Sequence, residues 1–430
     1  MASAPQEQLR SAHRAVDAVW RIEQAKLIAS LTRIVRDVAL AEEFAQEALV
    51  AALKQWPEAG VPERPGAWLM ATAKRRAFDH LRRNKMLTRK HAEIGREQRE
   101  DLDPTEEIDA ALDDDIGDDL LRLIFVSCHP LLSPEARTAL TLRLIGGLTT
   151  DEIARAFLVP EPTIAQRIVR AKRTLSEANA PFEVPRGGEL EERLGSVLEV
   201  IYLVFNEGYA ASAGDDWMRP QLCEEAMRLG RILAELVPGE TEVHGLVSLM
   251  ELQASRSRAR AAPDGTPILL LDQNRALWDQ MLIGRGLAAL ARAEAIGGIA
   301  GPYVLQASIA ACHARARTAG ETNWVRIAAF YSVLANVTPS PVVELNRAMA
   351  VAMAFGPQAG LDIADRLAGE ASLKNYHLLH SVRAELLQRL GRFGEAKEEY
   401  ERAAGMTRNA RERQMLLGQA AEIAARQTTA

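Results

Sequence analysis

The 430 residues predict an all-α protein in three parts. Three observations carry this. Aromatic residues make up only 5% of the chain while hydrophobic residues make up 48%, mostly Ala and Leu, a composition that favours helix over strand. Apolar residues recur at helical spacing through long segments. Charge is segregated, although the net charge of −6 excludes a chain that is basic overall. Eight basic side chains between Lys74 and Lys90 face one acid, Asp79; from Glu93 to Asp119 thirteen acids face Arg96 and Arg99. A basic helical unit, an acidic tether and a second basic helical unit suggest a protein that holds one DNA at two places.

The first part is expected over residues 10–90. Val38, Ala41, Ala45, Ala48, Leu49 and Ala52 fall at helical spacing, with Glu42, Glu43, Gln46 and Glu47 between them. Trp56-Pro57 is expected to end that helix, because the residue before a proline avoids helical geometry. Pro57 to Gly66 holds three prolines and two glycines and reads as a rigid loop. A second helix is expected from about Pro65 to Arg83, with Trp68, Leu69, Ala73, Ala77, Phe78 and Leu81 on its apolar side. Its basic face alone fits a solvated surface as well as an anion binder. Trp68 suits a core position, and it also suits a stacking platform for an unpaired base.

Residues 91–116 are acidic and poor in apolar side chains, so a linker is expected. Asp113, Asp114, Asp115, Asp118 and Asp119 read as a solvated run rather than a cation site.

The second helical unit is expected over 117–180. Ser133-Pro134-Glu135 supplies a cap, a proline for the first turn and an acid at the dipole's positive end. Gly146-Gly147 closes that helix. Thr149-Thr150-Asp151-Glu152 fits a capping box opening a short helix through Ile153, Ala154 and Ala156. Phe157-Leu158-Val159 would turn, and Pro160-Glu161-Pro162 would open the next helix. Ile164, Ile168, Ala171 and Leu175 then share a buried face, leaving Thr163, Gln166, Arg167, Arg170 and Lys172 free. That is a helix-turn-helix: Gln and Arg near the start of the second helix can read adenine and guanine. Arg170, Lys172 and Arg173 suit phosphates. An ordinary helical hairpin with a basic solvated face is the competing reading; the agreement of cap, turn and charge favours DNA.

Pro181 to Gly188 marks a further boundary, and a helical region fills 187–430. Leu390-Gly391-Arg392-Phe393 with Ala396, Tyr400 and Ala403 is similar to the second half of a tetratricopeptide repeat, and Gly356 lies thirty-five positions before Gly391. Irregular repeat-like hairpins are expected. Asn206, Glu207 and Tyr209 read as interhelical hydrogen bonding, with a pocket as the alternative.

Several classes are excluded. Cys128, Cys223 and Cys312 lie far apart without CxxC spacing, so no disulfide framework is expected and a reducing cytoplasm is. Cys128-His129 has no second ligand pair, so no metal is expected. There is no Walker-type glycine loop and no GxSxG; no cofactor is expected, and the promoter-binding reading below expects no catalysis by the chain itself. The N-terminus lacks a signal pattern, and Ala295 to His313 is a poor membrane span, broken by Gly297, Gly298, Gly301 and Pro302.

Three segments together resemble the extracytoplasmic-function RNA polymerase sigma factors: Asp37–Trp56 (DVALAEEFAQEALVAALKQW), Trp68–Arg83 (WLMATAKRRAFDHLRR) and Leu148–Leu175. They cover roughly the first 180 residues. The run Phe205-Asn206-Glu207-Gly208-Tyr209 and the run from Ser340 to Arg347 resemble the subgroup with a long helical, tetratricopeptide-like extension. The resemblance implies that Asp37, Glu42, Glu43, Gln46 and Glu47 meet the β′ clamp of core polymerase, with the β flap as a second contact of the factor. It implies that Trp68, Lys74, Arg75, Arg76, Arg82 and Arg83 grip the −10 element of promoter DNA. It implies that Thr163, Gln166, Arg167, Arg170, Lys172 and Arg173 meet the −35 element. A regulatory partner for the extension is expected. Arg75 stands where many such factors have Asn, and Leu158 where the turn often has Gly. The alternative is a DNA-targeted scaffold or enzyme whose activity lies in the C-terminal part.

Overall fold

In the computed structural model, residues 4–92, 116–157, 159–210, 218–263, 266–370, 373–374, 376–407 and 409–429 are described. Among them every long element is a helix, and strand pairing is limited to one isolated bridge, Ala261 to Pro267. The chain divides into two compact units, Met1–Val200 and Ile201–Ala430.

The N-terminal unit starts with α1 (Ala4–Val35), which buries Leu27, Ile28 and Leu31 completely or nearly so. Each such burial stabilises by about 1.5–3 kcal/mol. Arg36 takes a left-handed backbone (φ 57°) and turns the chain into Asp37, whose carboxylate caps α2 (Val38–Ala59) by accepting from the amides of Ala39 and Leu40. The expected stop at Trp56-Pro57 is overturned: Pro57 lies inside α2, which runs one turn further and is closed by Gly60 at φ 87°. A proline in a last turn costs one hydrogen bond, which the buried Trp56 offsets. Helix α3 (Pro65–Ala92) starts on its proline as expected but continues well past Arg83. Gly66 lets it approach α1: an added Cβ would lie 3.0 Å from the Glu23 side chain.

The segment 93–115, the core of the expected acidic linker, lies outside the described residues. Next come α4 (Ile116–Ser127), α5 (Pro134–Leu144), α6 (Thr150–Phe157), α7 (Glu161–Glu177) and α8 (Gly188–Tyr209). Asp119 is not a solvated acid. It is buried, and it pairs with Arg122 at 2.7 Å and with Arg33 of α1 at 3.3 Å, tying α1 to α4.

The break at Pro181–Gly188 does not end the N-terminal unit, which reaches Val200. The first half of α8 supplies the reason. Arg193 donates to the Phe125 carbonyl at 2.9 Å, and Ser196 donates to the Cys128 carbonyl at 2.8 Å. Arg137 in turn donates to Ser196 and pairs with Glu199 at 3.4 Å.

The C-terminal unit continues through α9 (Pro220–Leu236), α10 (Thr241–Ala254), α11 (Gln280–Gly297), α12 (Pro302–Arg315), α13 (Trp324–Val337), α14 (Pro341–Phe355), α15 (Pro357–Leu367), α16 (His377–Arg389), α17 (Phe393–Met406) and α18 (Ala410–Thr429). Helix α10 is almost wholly buried, and its Glu251 is held by Arg231 at 2.8 Å and Arg285 at 3.3 Å. Gly356 (φ 105°) and Gly391 (φ 76°) each stand between consecutive helices, α14–α15 and α16–α17.

Candidate nucleic-acid interface

Local sequence fixes the helix-turn-helix. Thr149 Oγ1 accepts from the Glu152 amide at 3.1 Å, and Glu152 Oε2 accepts from the Thr149 amide at 2.8 Å. This is the expected capping box, and it starts α6. Leu158, in the expected turn, lies outside the described residues. Helix α7 then buries Ile164, Ile168, Ala171 and Leu175, the four positions that the pattern selects. Gln166, Arg170 and Arg173 point to solvent, and Thr163 and Arg167 are half-buried. Upstream, Ser133 caps α5 by accepting from the Ala136 amide at 3.3 Å. Glu135 sits in the same first turn, where the backbone amide and the Ser133 hydroxyl hold its carboxyl below the usual range. Cys128 is structural: burial pushes its thiol to about 11, and its sulfur lies 3.3 Å from the Thr141 hydroxyl.

On α3, Arg75, Arg82 and Arg83 are exposed, and Lys74 and Arg76 half-buried. Trp68 serves packing at least in part, since its ring meets Trp56 edge-on at 5.6 Å. The acids of α2 and the bases of α3 share one groove of about 310 Å³, lined by Glu43, Glu47, Arg76, Asp79 and Arg83. Arg76 is not free there, because it pairs with Glu47 at 2.5 Å.

The structure corrects the expectation that Glu42 is free for core polymerase and Lys172 for the −35 element, because the two pair with each other. Glu42 is only 4% exposed. It accepts from Gln46 at 2.9 Å, from Arg143 at 2.9 Å and from Lys172. Asp37, besides capping α2, accepts from Ser176 at 2.9 Å. Gln24 of α1 donates to the Arg143 carbonyl at 2.9 Å. The acidic helix and the helix-turn-helix are therefore latched to one another through residues assigned to two different partners. A cleft of about 250 Å³ lies beside the latch, lined by Glu42, Glu43, Arg143, Ile168 and Lys172. Arg143 carried no sequence signal beyond being a base in the last turn of α5.

The comparisons with known proteins agree with this layout. Residues 20–86 match Sigma-70 region 2, and residues 122–175 match Sigma-70, region 4. Residues 193–294 match a family of unknown function (DUF6596). An uncharacterized protein, R00370 of Rhizobium meliloti, is 43% identical over 416 residues, covering 96% of this chain and 97% of that one. The probable ECF RNA polymerase sigma factor SigI of Mycobacterium tuberculosis is 29% identical over 180 residues, 40% of this chain and 59% of SigI. The RNA polymerase sigma-H factor of Pseudomonas aeruginosa is 30% identical over 181 residues, 40% of this chain and 90% of that factor.

The chain belongs to the RNA polymerase sigma factors.

In this sigma factor, region 2 corresponds to part of α1 with α2 and α3, and region 4 runs from α4 to α7. Both fall within the N-terminal unit, and a helical extension follows. No solved structure matches the chain. Among the described residues no helix is long and apolar enough to cross a membrane.

Proposed function

We propose that this sigma factor directs core RNA polymerase to particular promoters, starts transcription there and catalyses no reaction itself. The observation that carries the reading is α7. A fully buried Ile164–Ile168–Ala171–Leu175 face turns Gln166, Arg170 and Arg173 outward, next to the half-buried Arg167, at the start of a helix of major-groove length. Arg167 and Gln166 read −35 bases, and Arg170 and Arg173 position the helix on phosphates. Arg75, Arg82 and Arg83 of α3 hold the −10 element, and Trp68 stacks there only if it leaves Trp56. Exposed Glu43 and half-buried Glu47 of α2 meet the β′ clamp.

The latched arrangement is the resting form. Glu42 and Lys172 neutralise one another until polymerase or DNA separates α2 from α7. The extension sets how readily that happens, through a regulatory partner on its helical hairpins.

The test is transcription from a promoter library with purified core polymerase. Promoter-specific transcripts together with co-purification of the polymerase are expected; absence of both would remove the reading. Removing the extension tests its regulatory role, and unchanged promoter output would reject that role. The cut belongs after Val200 rather than at Gly187, because Arg193 and Ser196 hold region 4.

A further inference from the structure

The C-terminal unit contains an arginine–aromatic stack that promoter binding leaves unused. The Arg260 guanidinium lies 3.5 Å from the centre of the Tyr209 ring. Arg256 lies 5.8 Å from that same ring and 5.8 Å from the ring of Trp278. Arg275 lies 4.7 Å from Trp278. Three cations thus alternate with two rings, gathered from the end of α8, the segment after α10 and the approach to α11.

The arginines are employed differently. Arg275 braces the chain: it donates to the carbonyls of His313 at 2.6 Å and Ala316 at 2.8 Å, and to the Thr322 hydroxyl at 3.1 Å. Arg260 is buried and donates to the Tyr209 carbonyl. Arg256 is half-buried; among the described residues its guanidinium lies against the two rings and makes no hydrogen bond or ion pair. Stacking uses the faces of a guanidinium and leaves its in-plane N–H edge available, the edge that matches a tetrahedral or planar oxyanion.

The surroundings offer further donors, and among the described residues no carboxylate pairs with Arg256, while Glu321 lies within electrostatic reach of Arg275. Trp278 is 4% exposed, and its indole N–H is buried without an acceptor. Tyr331 is half-buried, lies within the electrostatic reach of Arg256 and Tyr202, and makes no hydrogen bond from its hydroxyl among the described residues. Burial, with Arg256 and Arg275 close by, keeps His313 neutral by holding it down at about 3. A fixed cation and a ring whose indole N–H has no acceptor thus stand in one stack, with a phenol within electrostatic reach of the cation. In a partly desolvated site each donor counts for more than it would in water.

We propose that this stack binds the phosphate group of a small organic phosphate, with Arg256 as its principal contact. A dianion is favoured over a single carboxylate because neither Arg256 nor Arg275 pairs with a carboxylate among the described residues. The inference does not rest on the transcription reading, since binding is measured on the free protein.

The experiment is isothermal titration of the full chain with inorganic phosphate, phenyl phosphate and succinate, at constant ionic strength set by chloride. Phenyl phosphate should bind most tightly, inorganic phosphate next and succinate least. Arg256→Gln should weaken phosphate binding by roughly ten-fold or more, as expected for loss of a charge-assisted hydrogen bond. Trp278→Phe keeps the ring stack and removes only the N–H; a several-fold loss is expected, so the proposal stays testable should Arg256→Gln fail to fold. Arg228→Gln, which removes a pair with Glu225 outside the stack, should leave binding intact. Succinate binding as tightly as phosphate, no binding at millimolar phosphate, or equal binding by wild type and both stack variants would overturn the proposal.

Discussion

Glu42→Gln is the sharpest perturbation of the N-terminal unit. It removes one negative charge from a carboxylate that serves Arg143, Lys172 and Gln46 together. Removing one member of a fully buried ion pair costs about 3–5 kcal/mol. Here the Arg143 and Lys172 side chains remain 21% and 16% exposed, so water recovers part of their hydration. The Gln also keeps a carbonyl for one donor. A loss of about 1–3 kcal/mol in the free energy of separating α2 from α7 follows. Hydrogen exchange on the full chain reads this directly. Amides of α2 and α7 should exchange roughly 5- to 150-fold faster by sub-global opening, while those of α10 should not change. Lys172→Met should give a smaller effect in the same two helices. The double variant should fall short of the sum of the singles, because both act on one contact. Strict additivity, or acceleration spread evenly over both units, would refute the latch.

Three further outcomes follow from other parts of the molecule. Arg167→Ala should weaken binding to the preferred −35 sequence by about 1–3 kcal/mol and relax specificity, whereas Arg173→Ala should weaken all sequences alike and lower the salt slope by about one; anisotropy titrations over a salt series separate the two. His313, buried beside Arg256 and Arg275, sits at about 3 in the folded chain and near 6.5 unfolded, so the unfolded state takes up the proton first. Stability is complete above that unfolded value and falls as pH drops toward the folded one, by up to about 1.4 kcal/mol per unit, and His313→Gln should flatten the profile in urea melts. Gly208→Ala should destabilise the C-terminal unit by about 1–3 kcal/mol, since its Cβ would sit 2.6 Å from the Cys223 amide nitrogen; an unchanged Tm would contradict the close approach of α8 and α9.

Local pattern made much of the fold legible. The capping box at Thr149–Glu152, the cap at Ser133 and the buried quartet of α7 each depend on residues within a few turns, and spacing alone located them. The errors came where distant residues decide. Pro57 predicts a stop to α2, but packing of Trp56 carries the helix past it. Asp119 reads as part of a solvated run, because nothing local shows that Arg33 stands opposite.

What the sequence determined by itself was the all-α class, the caps and buried face of the helix-turn-helix, and the sigma-factor family, because helical period and capping chemistry are short-range. Tertiary structure alone decided that Glu42 and Lys172 face each other across 130 positions, and that Tyr209, Arg256 and Trp278 form one stack. Contacts of that separation leave no period in the chain. They exist only once burial has brought the helices together, where a charge far from water must take whichever partner the packing provides.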